Sequence, residues 1–153
     1  MTITSWRVVT QRFKKTAFDG EGARIVGGRW NSIGNPVVYT AATTSLGLLE
    51  MLVRSSGTRL LPFYLVIPVV FDERCVDRFD RAQLPKGWRS HPSPRDTQKI
   101  GDEWIALGLS CILEVPSVIV PHESNYVFNP KHPDFGSLEI GDPISLEVDP
   151  RLV

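Results

Sequence analysis

The longest apolar run in the chain, Leu60 to Phe71 (LLPFYLVIPVVF), spans 12 residues and carries prolines at 62 and 68. A segment this apolar has to be buried, yet as a helix it would reach only about 18 Å, short of a ~30 Å hydrocarbon core. Its β-branched and aromatic side chains read as a buried strand, with Pro68 suggesting a bulge or an edge position. A strand of this kind needs further strands beside it and apolar faces over it, so the rest of the chain is read for what supplies them.

Two stretches have helical punctuation. In ATTSLGLLEMLVRSSG, Thr43, Thr44 or Ser45 can cap the start and Gly57 stands just past the end. Ser93-Pro94 opens a second helix, Pro94 to Leu107, with serine as the cap and proline at the first position. Strands are expected at Ile3–Val9, in PVVYTA before the first helix, in SCILEV and SVIVP on either side of Pro116, and finally over Leu138–Val148. FDGEGARIVGG reads as a polar, glycine-bearing stretch, NSIGNP as a turn, and residues 72–93 as a long connection without a clear period. The order of elements predicts an α+β fold in a single domain, not the regular alternation of a doubly wound sheet. No G-x-G-x-x-G or P-loop motif is present.

Charge and cysteines narrow the function. The 153 residues carry 17 Lys plus Arg against 17 Asp plus Glu, so no global field draws the chain to nucleic acid or an anionic membrane. The N-terminal MTITSWRVVTQRFKK lacks the parts of a signal peptide. Cys75 and Cys111 belong to no CxxC or Cys/His cluster and read as buried free thiols in a cytoplasmic protein.

GGRWNSIGNPVVYTA, Gly27 to Ala41, holds the first candidates. Arg29 either stacks on Trp30 or pairs with a surface carboxylate, or it presents its fork of donors to an anionic ligand that Gly27 and Gly28 let approach. Tyr39 is either a core tyrosine with a paired hydroxyl or a ring that stacks on a planar ligand. Projected as a helix, Leu46 to Arg54 is apolar nearly all round, with a narrow polar arc of Gly47, Glu50 and Arg54. Glu50 is then either an i,i+4 partner of Arg54 or a carboxylate at the bottom of a cleft, with Gly47 leaving room for a ligand. Arg7, mid-strand in SWRVV, faces either solvent or a site on that sheet face.

The stretch PHESNYVFNPKHPDF gathers His122, Glu123, Ser124, Asn125, Tyr126, Asn129 and His132. Its His spacing is not a metal pattern and no third ligand is evident. No G-x-S-x-G elbow accompanies Ser124. It reads as a polar loop that hydrogen-bonds a ligand, or as a structural loop held by Asx-turns at Asn125 and Asn129.

WRVV, GGRWNSIGNPVVYTA, SLGLLEML and VPHESNYVFNPKHPDF, in this order over nearly the whole chain, resemble the RES-domain family, named for its arginine, glutamate and serine. The resemblance implies an ADP-ribosyltransferase-like fold, a mixed or antiparallel split sheet with flanking helices. It implies a toxin of a bacterial toxin–antitoxin pair that destroys NAD+ at the nicotinamide–ribose bond, with NAD+ as substrate and no other cofactor or metal. It implies a helix-turn-helix antitoxin as partner. By the same match the family's arginine falls on Arg29, its tyrosine on Tyr39, its glutamate on Glu50 and its serine on Ser124, with Arg7 and Asn129 as further matches and Gly28 beside the substrate. Transfer of ADP-ribose to a protein is the alternative activity, and a non-catalytic binding module is the alternative class.

Overall fold

The computed structural model describes residues 1–55 and 59–153. Gly57, the expected stop signal of the first long helix, lies outside them. Along the chain come β1 (Thr2–Val9), α1 (Glu21–Val26), β2 (Val38–Ala41), α2 (Thr44–Arg54), β3 (Phe63–Asp72), β4 (Val76–Arg78), α3 (Arg95–Leu107), β5 (Ile112–Pro116), β6 (Ser124–Phe128), β7 (Glu139–Ile140) and β8 (Ile144–Glu147). Among the described residues the strands form one eight-stranded sheet in the order β4-β5-β6-β2-β1-β3-β7, with β8 also on β3. Only β4–β5 is parallel. This is the mixed α+β architecture the sequence predicts.

The apolar run becomes β3, and it is not an edge. It pairs with β1 over eight positions on one side and with β7 and β8 on the other. Pro68 is accommodated because the outer partner is interrupted there. Its carbonyl accepts the Gly141 N–H at 2.8 Å in the gap between β7 and β8, and its missing N–H faces the same gap. The single last strand expected over 138–148 is therefore two short ones.

Other boundaries moved for local reasons. Within 72–93 the three residues of β4 form a strand too short to show a period. SVIVP is a bend, and the presumed loop from His122 contains β6, a central strand. FDGEGARIVGG contains α1. The α3 cap is Pro94 itself, not Ser93, and no side chain bonds into it. The α2 cap is as expected: Thr43 Oγ1 accepts the Leu46 N–H at 3.1 Å.

Strand alternation sorts the core into two faces. On one, Val38, Val69, Phe71, Ile112, Tyr126 and Phe128 pack with Phe18, Phe135 and Leu138 from loops. The other face is covered by two helices. α3 lays Trp104 on Trp30, Val37, Leu113, Val115 and Val127, while Met51 and Leu52 of α2 pack with Val8, Tyr64 and Val66. Between these two halves the sheet parts. β1 and β2 share a single register pair, Trp6 with Ala41.

Glycines set how closely helices approach. A Cβ on Gly101 would lie 1.6 Å from the Trp30 carbonyl oxygen, which is main chain and cannot swing away. Gly101→Ala should therefore destabilise the fold by more than ~3 kcal/mol in a denaturant titration. Gly22→Ala, where a Cβ meets nothing within 4 Å, should be neutral or stabilise α1 by up to ~1 kcal/mol.

Candidate active site

The GGRW turn is built around a hydroxyl. Tyr39 points back from β2 and donates its O–H to Asn31 Oδ1 at 2.6 Å while accepting the Trp30 N–H at 3.0 Å. Asn31 is fully buried and spends its Nδ2 on the carbonyls of Ala23, at 2.8 Å, and Asn35, at 3.0 Å. The space Tyr39 Oη uses is the space a side chain at 28 would need: a Cβ on Gly28 would sit 2.7 Å from it. Gly28 therefore serves the packing of Tyr39. From α3, Asp102 fixes the next residues by accepting Ser32 N–H at 3.0 Å, Ser32 O–H at 2.6 Å and Asn35 Nδ2 at 2.8 Å.

Burial pushes the Tyr39 phenol well above its ordinary range. The hydroxyl is doubly engaged, so it is a structural group, and Tyr39 is among the residues that line the pocket. Arg29 neither stacks on Trp30 nor forms an ion pair among the described residues. Its Nη1 donates to the carbonyls of Trp88, at 2.9 Å, and Ser90, at 2.6 Å. Burial lowers its pKa, and the charge of nearby Glu50 opposes that most.

Arg7 fills the parting of the sheet. Its Nη1 donates to the Tyr39 carbonyl at 3.1 Å, where a ladder bond between β1 and β2 would otherwise run, and its Nε donates to the Ala17 carbonyl at 2.9 Å. Burial pushes it down to about 10, with Arg54 adding to the shift and Asp19 opposing it. It remains a cation at neutral pH.

Glu50 rises from α2 toward this cation-lined parting. One oxygen, Oε1, accepts Asn125 Nδ2 at 2.8 Å and Ser117 O–H at 3.2 Å. Ser117 is fully buried and in turn accepts the N–H groups of Ile119 and Val120, both at 3.1 Å. Oε2 has no partner among the described residues, and the expected Glu50–Arg54 pair does not form. Gly47 lines the same pocket and also lets α2 sit down on β1, since a Cβ there would lie 2.6 Å from Val8 Cγ2. The pocket is lined by Arg7, Tyr39, Glu50, Met51, Arg54 and Asn125 among others. Asn125 Oδ1 is the one buried side-chain polar atom without a partner among the described residues.

A RES-domain model matches residues 4–149. The chain belongs to the RES-domain family. It is 35% identical to a protein named Toxin Res from Photorhabdus laumondii, over 97% of this chain and 96% of that one. It is 35% identical to a Toxin Res from Yersinia enterocolitica, over 96% and 97%. It is 36% identical to the Prs ADP-ribosylating toxin of a Sphingobium species, over 100% and 98%. Its fold is similar to a chain in the crystal structure of the M. tuberculosis MbcT–MbcA toxin–antitoxin complex, with a TM-score of 0.74 at 17% identity, over 96% of this chain and 85% of that one.

In this RES domain three of the expected residues, Arg7, Tyr39 and Glu50, line one pocket at the parting of the sheet, and Arg29 stands on the adjoining turn, where it feels the charge of Glu50. Ser124 and Asn129 do not join them. Ser124 Oγ accepts Arg81 Nη2 at 3.3 Å and, one residue before Asn125, points to the opposite face of β6. Asn129 accepts the Lys131 N–H at 3.0 Å in an Asx-turn, roughly 13 Å along the strand from Asn125. The serine that touches Glu50 is Ser117, and the asparagine is Asn125. His132 is used locally, with Nε2 on the Gly108 carbonyl and Nδ1 accepting the Asp134 N–H. Among the described residues no group of three or more His, Cys, Asp and Glu could hold a metal ion, and no helix is long and apolar enough to cross a membrane.

Tyr39→Phe leaves two buried groups, Asn31 Oδ1 and the Trp30 N–H, without a partner. Each such loss costs ~1–3 kcal/mol, so the variant should unfold at clearly lower denaturant with an unchanged m-value.

Proposed function

We propose that this RES domain is the toxin of a toxin–antitoxin pair and that it cleaves NAD+ at the nicotinamide–ribose bond. The observation that carries the reading is the state of Glu50: one carboxylate oxygen held by Asn125 and Ser117, the other without a described partner, in a pocket that Arg7 and Tyr39 also line. The names of the curated relatives, all toxins, support it from outside.

The chemistry asks little more. As the C1′–N bond breaks, its electron pair passes into the pyridinium ring, and nicotinamide leaves neutral without a general acid. Positive charge gathers on the ribose, as in glycoside hydrolysis. A carboxylate whose orientation is fixed beforehand stabilises that charge without reorganising, or holds a ribose hydroxyl beside it. An oxygen of water or inorganic phosphate then bonds to C1′, and water gives up a proton as it does so. Arg7 and Arg29 provide donors for the phosphate-bearing half, and the Tyr39 ring supplies a face for nicotinamide. No metal or further cofactor takes part in this scheme.

The name of the Sphingobium relative favours a second reading, in which a protein side chain is the acceptor and ADP-ribose is transferred to it. The pocket and Glu50 would be the same. The antitoxin partner follows from the complex in which the similar fold was solved, and its helix-turn-helix character from the family resemblance.

Nicotinamide release from NAD+ by the purified chain, followed by chromatography, tests the proposal. Glu50→Gln keeps the shape and loses the charge, so release should fall by ~10²–10³-fold while NAD+ still binds. Release that begins only when a protein acceptor is added would establish transfer. A folded wild-type chain that binds NAD+ but releases nothing with any acceptor would be a binding module.

A further inference from the structure

The 79–92 connection carries two arginines that neither the family match nor the pocket lining includes. Arg89 donates Nε to the Val118 carbonyl at 2.8 Å. Arg81 donates Nη1 to the Pro121 carbonyl and Nη2 to Ser124 Oγ. Both therefore stand on the bend that starts at Ser117, the residue bonded to Glu50. Arg29 reaches the same connection from the other side, through the carbonyls of Trp88 and Ser90 that flank residue 89.

These three guanidinium groups are oriented only by neutral oxygens. None has a carboxylate within ion-pair distance among the described residues, and the nearby Asp80 is occupied in accepting the Ala82 N–H at 3.0 Å. No described carboxylate is paired with them, and the described bonds leave N–H donors over: both amino groups of Arg89, Nε and Nη2 of Arg29, and Nε of Arg81. Arg81 and Arg89 are exposed, so these donors are open to solvent and to a ligand. A main-chain carbonyl fixes where a guanidinium points without neutralising it, and a forked cation so held matches phosphate oxygens.

We infer that Arg89 and Arg81, continuing from Arg29, form a phosphate-binding strip that runs outward from Glu50 along the 117–124 bend. The strip deepens the NAD+ reading and rests on it for the identity of the full ligand. Its chemistry is that of phosphate oxygens, whether they belong to the pyrophosphate of a dinucleotide or to a free phosphate ion.

The test begins with inorganic pyrophosphate and inorganic phosphate, titrated calorimetrically into the full chain. Wild type should bind pyrophosphate, and Arg89→Met and Arg81→Met should each weaken it by about tenfold, with Arg89→Lys recovering part of the loss. Arg24→Met, at an exposed arginine paired with Glu21, should leave it unchanged. Steady-state kinetics then separate the sources. A rise in the NAD+ KM at least tenfold larger than the rise for nicotinamide riboside, which has no phosphate, with kcat little altered, assigns the strip to the dinucleotide. An unchanged NAD+ KM with a weaker response to added phosphate assigns it to the free ion. Absence of pyrophosphate binding by wild type, or binding indifferent to both methionine variants in folded protein, overturns the strip. Pyrophosphate binding that depends on these arginines, in a chain that never releases nicotinamide, overturns the NAD+ reading and leaves the strip standing.

Discussion

The hydroxyl of Tyr39 is the point on which the geometry of the site hangs. It lies in the space left by the missing side chain of Gly28 and joins Asn31 Oδ1 to the Trp30 N–H. Through Asn31 it governs the path of the GGRW turn, and through Trp30 it governs the seat of α3, whose Gly101 lies against the Trp30 carbonyl. Arg29 sits between the anchored residues 28 and 30, so that network sets where its side chain leaves the turn, and the carbonyls of Trp88 and Ser90 direct its guanidinium. Gly28 and the Tyr39 hydroxyl thus act through the turn, by fixing the main chain on either side of Arg29.

Glu50 has the opposite arrangement, rigid on one side and open on the other. Two donors converge on Oε1, and one of them, Ser117, is itself held by two main-chain N–H groups. A carboxylate held in this way cannot swing toward Arg54 or out to solvent, although a helix offers an i,i+4 partner. The cost is borne at Asn125, whose Oδ1 is buried without a described partner because its amide is turned to serve the carboxylate. Isolated polar atoms of this kind are rare in folded proteins and concentrate where geometry matters more than stability.

Much of this was legible in the sequence, and the limits have physical causes. α2 could be read because its apolar positions repeat and Thr43 caps it, while its single acid left two readings open, an Arg54 pair or a carboxylate in a cleft, and in the fold Glu50 lines a pocket and is not paired with Arg54. β6 could not, because Ser124 and Asn125 at its start look like loop residues, and only the pairing with β2 and β5 makes them a strand. That error carried into the site. Neighbouring residues on a strand face opposite ways, so a serine assigned to Ser124 is turned from Glu50, while Asn125 and the preceding bend at Ser117 face it. What fills the gap a glycine leaves is also not legible in the sequence: beside Gly28 it is Tyr39, and beside Gly47 it is Val8. The parting of the sheet at Arg7 is likewise a matter of register, since one shared pair between β1 and β2 is decided by the whole sheet.

The neutrality of the chain then takes on a specific meaning. Equal numbers of acids and bases abolish the long-range field that would gather polyanions such as nucleic acid, yet they do not prevent a local concentration of cations. Here Arg7 lies in the parting of the sheet, Arg29 on the adjoining turn, and Arg81 and Arg89 on the connection beside it, each directed by carbonyls and without an ion-pair partner among the described residues. Ion pairs such as Arg74 with Asp72 and Arg151 with Asp149 are placed on exposed parts of the surface. Over more than a Debye length the opposite charges cancel, while around this part of the surface they do not. Such a distribution suits a short anion at the cleft better than a long polyanion along the surface, which is what the proposed phosphate strip requires.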